Sequence, residues 1–237
     1  WNFDTLPTVN KLDPAFVRFI IEDEDSVVAH WMKLGADGFR LDVADELPDT
    51  ILALIRQAAK SVKPDAPIIG EVWEDASHKV AYGQMRSYVL GDTLDSVMNY
   101  PLRDALIETA ASVMVQAAKA EHPARLPLPG AHPVELDKDM GLKMLLENLA
   151  CADFSNPEPF AKVLLLEMRR MRKVGCTVVI TARLDSQMVD VMLSMRRMGP
   201  NVRLYLVTQT PEDTRLMPMI LKLQEVGVEV GYVKPLP

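Results

Sequence analysis

Two short stretches hold the side chains best suited to chemistry. One is Asp37-Gly38-Phe39-Arg40-Leu41-Asp42-Val43-Ala44, the other Gly70-Glu71-Val72-Trp73-Glu74. Each reads as a short apolar strand that ends in a carboxylate. Strand alternation puts Arg40 and Asp42 on one face. An arginine at that distance keeps the aspartate ionised and fixes its direction, as a carboxylate nucleophile requires. Glu71 leaves its own strand beside an aromatic. Two acids on strand ends, one ionised and one held protonated, are the equipment for cleaving a glycosidic bond.

Such a pair needs rigid elements beneath it. Residues 12–34 predict an amphipathic helix, with Phe16, Phe19, Ile20, Val27, Val28 and Trp31 at helical spacing. Strands are predicted over 37–43, 67–72 and 94–99. A helix is predicted over 50–62, with Asp49 as its N-cap after Pro48. Strand–helix–strand alternation argues for parallel pairing.

Residues 1–102 resemble the neopullulanase-like branch of the alpha-amylase superfamily, glycoside hydrolase family 13. The matching text is Trp1-Asn2-Phe3-Asp4-Thr5-Leu6-Pro7, Val9-Asn10, GADGFRLDVADELPD (35–49), IIGEVWEDAS (68–77) and LDSVMNYP (94–101). The resemblance implies a (β/α)8 barrel whose fourth to sixth strands lie here, and retaining hydrolysis of α-glucosidic bonds. It implies Asp42 as nucleophile, Glu71 as general acid/base and Arg40 as the nucleophile's partner. Asp45 and Glu46 fall where the family contacts sugar, with a solvated acidic loop as the other reading. Trp73 either stacks on a sugar ring or packs under the barrel rim. Asn99 and Tyr100 either line the cleft or pack. An α-glucan or maltooligosaccharide is the implied partner, with no cofactor and no metal.

The family also requires an upstream region with an aspartate and an Asn-His pair, expected before residue 1. It requires a late His-Asp pair as well. His122 and His132 are each followed by proline. The resemblance therefore supplies two of three acids and implies impaired activity.

The remainder reads differently. Helices are predicted over 103–121, 138–151, 159–173, 188–198 and 211–226, and strands over 124–128, 176–181, 202–207 and 228–233. Pro211 fits a first turn and Gly227 a helix stop. The repeat predicts half of an open doubly wound parallel sheet. The runs 104–118, 135–150 and 183–208 resemble the C-terminal part of an uncharacterised bacterial family with a von Willebrand factor A-like domain. That domain type binds a divalent metal through Asp-x-Ser-x-Ser, a pattern this sequence does not contain. The two resemblances divide the chain into 1–102 and 103–237, an α/β chain of a partial barrel followed by a partial open sheet.

Composition agrees with that division. Residues 1–102 hold 17 acidic against 9 basic residues, while the rest holds 16 against 17. Trp1, Trp31 and Trp73 all lie in the first part, and 11 of the 14 methionines in the second. An acidic first half argues against nucleic acid, whose phosphates demand a basic face. No apolar run approaches the roughly 20 residues of a membrane span. Cys151 and Cys176 sit in apolar contexts and read as buried free thiols, which fits a reducing cytoplasm. His30 and His78 read as surface residues. Met192, Met195 and Met198 read as core, and Arg169, Arg170, Arg172 and Lys173 as a solvated helix end. Open strand edges would invite self-association. The alternative to a glycosidase segment is a non-catalytic chimeric α/β interaction or scaffold protein.

Overall fold

The computed structural model describes residues 5, 7–127, 134–136, 141–152, 158–169 and 174–235. Residues 1–4, His132, the predicted helix start at 138–140 and the basic residues Arg170, Arg172 and Lys173 lie outside the described residues. The chain forms two compact units that divide between Pro101 and Leu102.

The first unit begins with α1 (Pro14–Val17), which continues into a π-helical turn, Arg18–Glu22, and α2 (Val27–Lys33). The single helix expected over 12–34 is thus broken. The acidic run Glu22-Asp23-Glu24-Asp25 ends the first piece, and the buried Ser26 hydroxyl bonds Ile21 O and accepts from the Ala29 amide, capping the second. His30 is exposed on α2.

Strand β1 (Phe39–Leu41), β2 (Ile68–Gly70) and β5 (Ser96–Val97) form a parallel sheet in the order β1-β2-β5. The crossover from β1 to β2 is helix α3 (Asp49–Val62). Its buried Ile51, Leu52, Ile55 and Ala59 recur at helical spacing and meet Val28, Met32 and Ile68 in one core. Burying each such Leu or Ile contributes roughly 1.5–3 kcal/mol. Pro48, not Asp49, stands at the N-cap, because the Asp49 carboxylate is taken by Arg86. Between β2 and β5 lies a hairpin that the sequence reading lacks, β3 (Val80–Ala81) against β4 (Gln84–Met85). Its turn residues Tyr82 and Gly83 both have positive φ, 55° and 74°, as a two-residue hairpin turn demands. Consecutive parallel strand order is what a barrel segment requires, but no barrel closes: among the described strands β1 and β5 each have one neighbour.

In the second unit, α4 (starting at Tyr100 in the first unit and running to Lys119, Tyr100–Lys119) and α5 (Gly141–Ala150) pack with β6 (Ala124–Leu126) around Met114, Leu145 and Leu149. β6 pairs antiparallel with β7 (Val134–Leu136), a strand not expected from the sequence. After α6 (Phe160–Met168) come β8 (Cys176–Thr181), α7 (Ser186–Arg197), β9 (Asn201–Val207), α8 (Met217–Glu225) and β10 (Glu229–Val233). The three strands are parallel in the order β10-β9-β8.

That order is compatible with half of a doubly wound sheet, in which successive strands add in one direction. Strands added one after another in a single direction by right-handed crossovers keep every helix on one face. The core accordingly alternates along β9, with Val202, Leu204 and Leu206 buried and Arg203 exposed. Arg203 pairs with Glu229 on the exposed side, 2.7 Å apart. Residues 211–216 form turns rather than the start of α8, so Pro211 opens no helix and Pro218 occupies that role. Met192 and Met195 are fully buried, but Met198 is 59% exposed at the helix end. Cys151 and Cys176 are free and exposed, against the expectation of buried thiols.

Candidate active site

The register of the first sheet builds the site. Leu41 stands opposite Gly70 in the parallel pair β1–β2, so the next residues, Asp42 and Glu71, leave the sheet side by side at the C-terminal strand ends. The Glu71 amide donates to Leu41 O at 3.0 Å, and the Ala44 amide to Glu71 O at 2.9 Å, which carries the pairing past the acids. Gly70 lets β2 sit close under this point: a Cβ there would run into the Leu94 side chain and stand 3.1 Å from Ala44 Cβ.

Arg40 and Asp42 share a face, as alternation requires. The Arg40 guanidinium bonds Asp42 through Nη1 and stands 3.1 Å from Glu71 Oε1 through Nη2. The two acids differ in setting. The Asp42 side chain is 78% exposed and that of Glu71 only 11%. Glu71 Oε2 accepts from the Val43 amide at 3.0 Å, and Oε1 from the Tyr100 hydroxyl at 2.9 Å. The Val43 amide, with help from the Tyr100 and Trp73 side chains and the Arg40 charge, holds the Glu71 carboxyl below the usual range against the effect of burial. These contacts favour the charged form of Glu71.

Val43 donates to Glu71 from a left-handed conformation, φ 42° and ψ 56°. For a β-branched residue that costs about 1–2 kcal/mol. A 3-10 turn, Ala44–Glu46, follows at once.

Asp45 and Glu46 do not form a freely solvated loop. The hairpin β3–β4 brings donors to both. Lys79 bonds Asp45 Oδ2 at 2.6 Å and also Glu74, while the Tyr82 hydroxyl donates to Glu46 Oε2 at 2.6 Å. Burial pulls the Lys79 ammonium down, but Asp45 and Glu74 outweigh it and raise its value. Arg86, 5% exposed, donates to Asp49 Oδ1 at 2.8 Å, to Asp45 O at 3.1 Å and to Leu47 O. Its guanidinium lies 4.6 Å from the centre of the buried Tyr88 ring. For Lys79, Tyr82 and Arg86 the signal in the sequence was Tyr82-Gly83 between the pairs Val80-Ala81 and Gln84-Met85.

Of the remaining candidates, Tyr100 touches Glu71 directly. Asn99 is exposed. Trp73 is 52% exposed, so it is not packed away under a rim. His78 lies exposed in the loop before β3, beside Asp75 and Ser77. Among the described residues no group of three or more His, Cys, Asp or Glu is placed to hold a metal ion, and no helix is long and apolar enough to cross a membrane.

A family model described as alpha amylase, catalytic domain, matches residues 2–125, more than half of the chain and beyond the unit boundary at Leu102. Cyclomaltodextrinase of Thermoanaerobacter pseudethanolicus is 36% identical over 120 residues, covering 50% of this chain and 18% of the relative. Amylopullulanase of Thermoanaerobacter thermohydrosulfuricus is 35% identical over 120 residues, 46% of this chain and 8% of the relative. Neopullulanase 2 of Thermoactinomyces vulgaris is 34% identical over 114 residues, 48% of this chain and 17% of the relative. A solved cyclomaltodextrinase structure is 31% identical over 46% of this chain and 17% of its own, with a TM-score of 0.38. The chain thus spans less than a fifth of the length of these relatives.

Proposed function

Because this chain belongs to the alpha-amylase family, we propose that its first unit carries the two-carboxylate part of a retaining glycosidase site acting on α-glucans or maltooligosaccharides. The observation that carries the reading is the pairing of Leu41 with Gly70, which sets Asp42 beside Glu71 under one guanidinium. In this reading Asp42 attacks the anomeric carbon while Glu71 gives a proton to the leaving oxygen. A covalent glycosyl–Asp42 ester forms, and Glu71 then takes a proton from the water that cleaves it. Arg40 steers Asp42. Asp45, Glu46, Trp73, Asn99 and Tyr100 border the substrate, with the half-exposed Trp73 offering a ring face to sugar.

Turnover in this chain is expected to be undetectable or weak. The contacts that lower the Glu71 carboxyl favour its charged form, which suits the second step more than the first. The sequence also lacks a His-Asp pair, and charge stabilisation in the transition state is usually the largest catalytic contribution. Two experiments test the proposal. An activated fluoroglucoside, whose leaving group needs no proton, should add one glycosyl mass to Asp42 and none to Asp42→Asn; no adduct on Asp42 refutes the nucleophile. Turnover of maltooligosaccharides near the ~10 s⁻¹ typical of enzymes, abolished by Asp42→Asn, would refute the impairment.

For the second unit the reading is a partial von Willebrand factor A-like sheet that serves as an interaction platform. The parallel β8–β9–β10 sheet, helical on one face and open around Arg203 on the other, supports it. A cytoplasmic setting is part of the same reading, supported by two exposed free thiols. So is self-association through β1 and β5.

A further inference from the structure

Val43 holds a conformation that its branched side chain disfavours, and its own hydrogen bond to Glu71 is one amide on an acid that also has Arg40, Tyr100 and Trp73 around it. Something else must keep the backbone there. The Ala44–Glu46 turn that follows is closed by Glu46 N to Val43 O at 3.0 Å and Leu47 N to Ala44 O at 3.1 Å. The far end of that turn is gripped from outside. Arg86 takes the carbonyls of Asp45 and Leu47 and the carboxylate of Asp49 with three different nitrogens. Arg86 is itself fixed: its side chain is 4% exposed, its guanidinium lies against the Tyr88 ring, and its amide donates to Lys79 O at 2.9 Å across the hairpin.

We propose that Arg86 is a positioning residue of the two-carboxylate site, holding the Ala44–Glu46 turn so that the left-handed Val43 keeps its amide on Glu71 Oε2. Arg86 bonds neither Asp42 nor Glu71; it acts through the backbone between its two carbonyl anchors and Val43. The planar fork suits this role, since it reaches two carbonyls and a carboxylate from three separate nitrogens held in one plane, where an ammonium would have to do so from a single atom. This deepens the reading of Asp42 and Glu71 as the reactive pair and rests on it. The hairpin thereby becomes the element that tunes the second acid. Tightly held, the turn presents Val43 N–H to the carboxylate; loosened, it withdraws the donor that favours the charged form most.

The test follows the Glu71 carboxyl by carbon NMR across pH in the full chain, together with exchange of the Val43 amide. Arg86→Lys should raise the Glu71 midpoint and quicken Val43 exchange about tenfold. Adding Val43→Gly, which adopts the left-handed conformation without penalty, should bring the midpoint back down. A folded Arg86→Lys protein with an unmoved Glu71 midpoint overturns the proposal, as does failure of Val43→Gly to reverse the shift. Should Arg86→Lys not fold, Asp49→Ala removes one anchor and leaves Arg86 in place; it is expected to move Glu71 in the same direction by less, and no movement there overturns the proposal. Neither measurement requires substrate. A null result with fluoroglucoside therefore bears on the reaction and leaves the positioning result readable.

Discussion

Asp42 and Glu71 share one guanidinium. Arg40 bonds the exposed Asp42 through one terminal nitrogen and stands 3.1 Å from the buried Glu71 through the other. Among the groups that lower Glu71, the Arg40 charge ranks behind the Val43 amide and the Tyr100 and Trp73 side chains. Arg40→Gln should therefore raise the Glu71 titration midpoint by less than loosening the Val43 amide does. Carbon NMR of the Glu71 carboxyl in the two variants gives the order, and an equal or larger shift from Arg40→Gln would reverse it.

Acid should weaken the first unit through two carboxylates. Glu71 and Asp95 both sit below their ordinary values of 4.5 and 3.8. For Asp95, burial pushes the carboxyl up, and the Ile68 amide, Arg56 and Lys60 outweigh it. A depressed folded value means the unfolded chain takes the proton first. The stability is present in full above the unfolded values and is lost as pH falls through the folded ones. Asp95→Asn keeps an acceptor for the Ile68 amide but drops the ion pairs to Arg56 and Lys60. It should cost about 1 kcal/mol at neutral pH and flatten the acid limb of a denaturation series.

Gly38→Ala should be among the costly small substitutions. A Cβ at this position would collide with the Pro67 carbonyl oxygen and lie 2.8 Å from the proline ring. The same carbonyl accepts from Phe39 N at 3.0 Å, so it cannot retreat without opening the entry to β1–β2. A loss of about 2–3 kcal/mol is expected in urea denaturation. A neutral result would mean that the β1–β2 entry has slack the geometry does not reveal.

Both thiols should react with a disulfide reagent in the native protein, without denaturant. Cys151 and Cys176 are exposed and unpaired. Two equivalents released within minutes at neutral pH is the expected count. Release only on unfolding would contradict the exposed positions.

Legibility in the sequence followed the density of apolar signal. The run Cys176–Thr181 reads as a strand and is one, because its β-branched residues run unbroken between turn residues. Asp42 and Glu71 follow the short strands Phe39–Leu41 and Ile68–Gly70, both of which fall inside segments the sequence marks as strands. The break at 23–26 was not, since acidic residues on a helix face look the same as acidic residues that end it. The hairpin was hidden by its size: two residues per strand give no period to read. Arg86 was hidden by type, as a buried arginine is visible only once its carbonyl partners are placed. The strand order of the second sheet is not written in any strand's own residues; the regular strand–helix repeat made only its parallel character legible.

The first sheet has strands of three, three and two residues. So short a ladder offers few rungs against slippage, and a one-residue slip would turn Arg40 and Asp42 to the opposite side. Two carboxylates supply the missing rungs: Asp95 grips the Ile68 amide from the far edge, and Glu71 grips the Val43 amide across β1–β2. Reactive acids usually tax the fold that carries them, so that neutralising one makes a protein sturdier. Here the relation is inverted. Glu71 is a fastener whatever its chemistry, so a chain that never used it as a reagent would still have a mechanical reason to keep the acid.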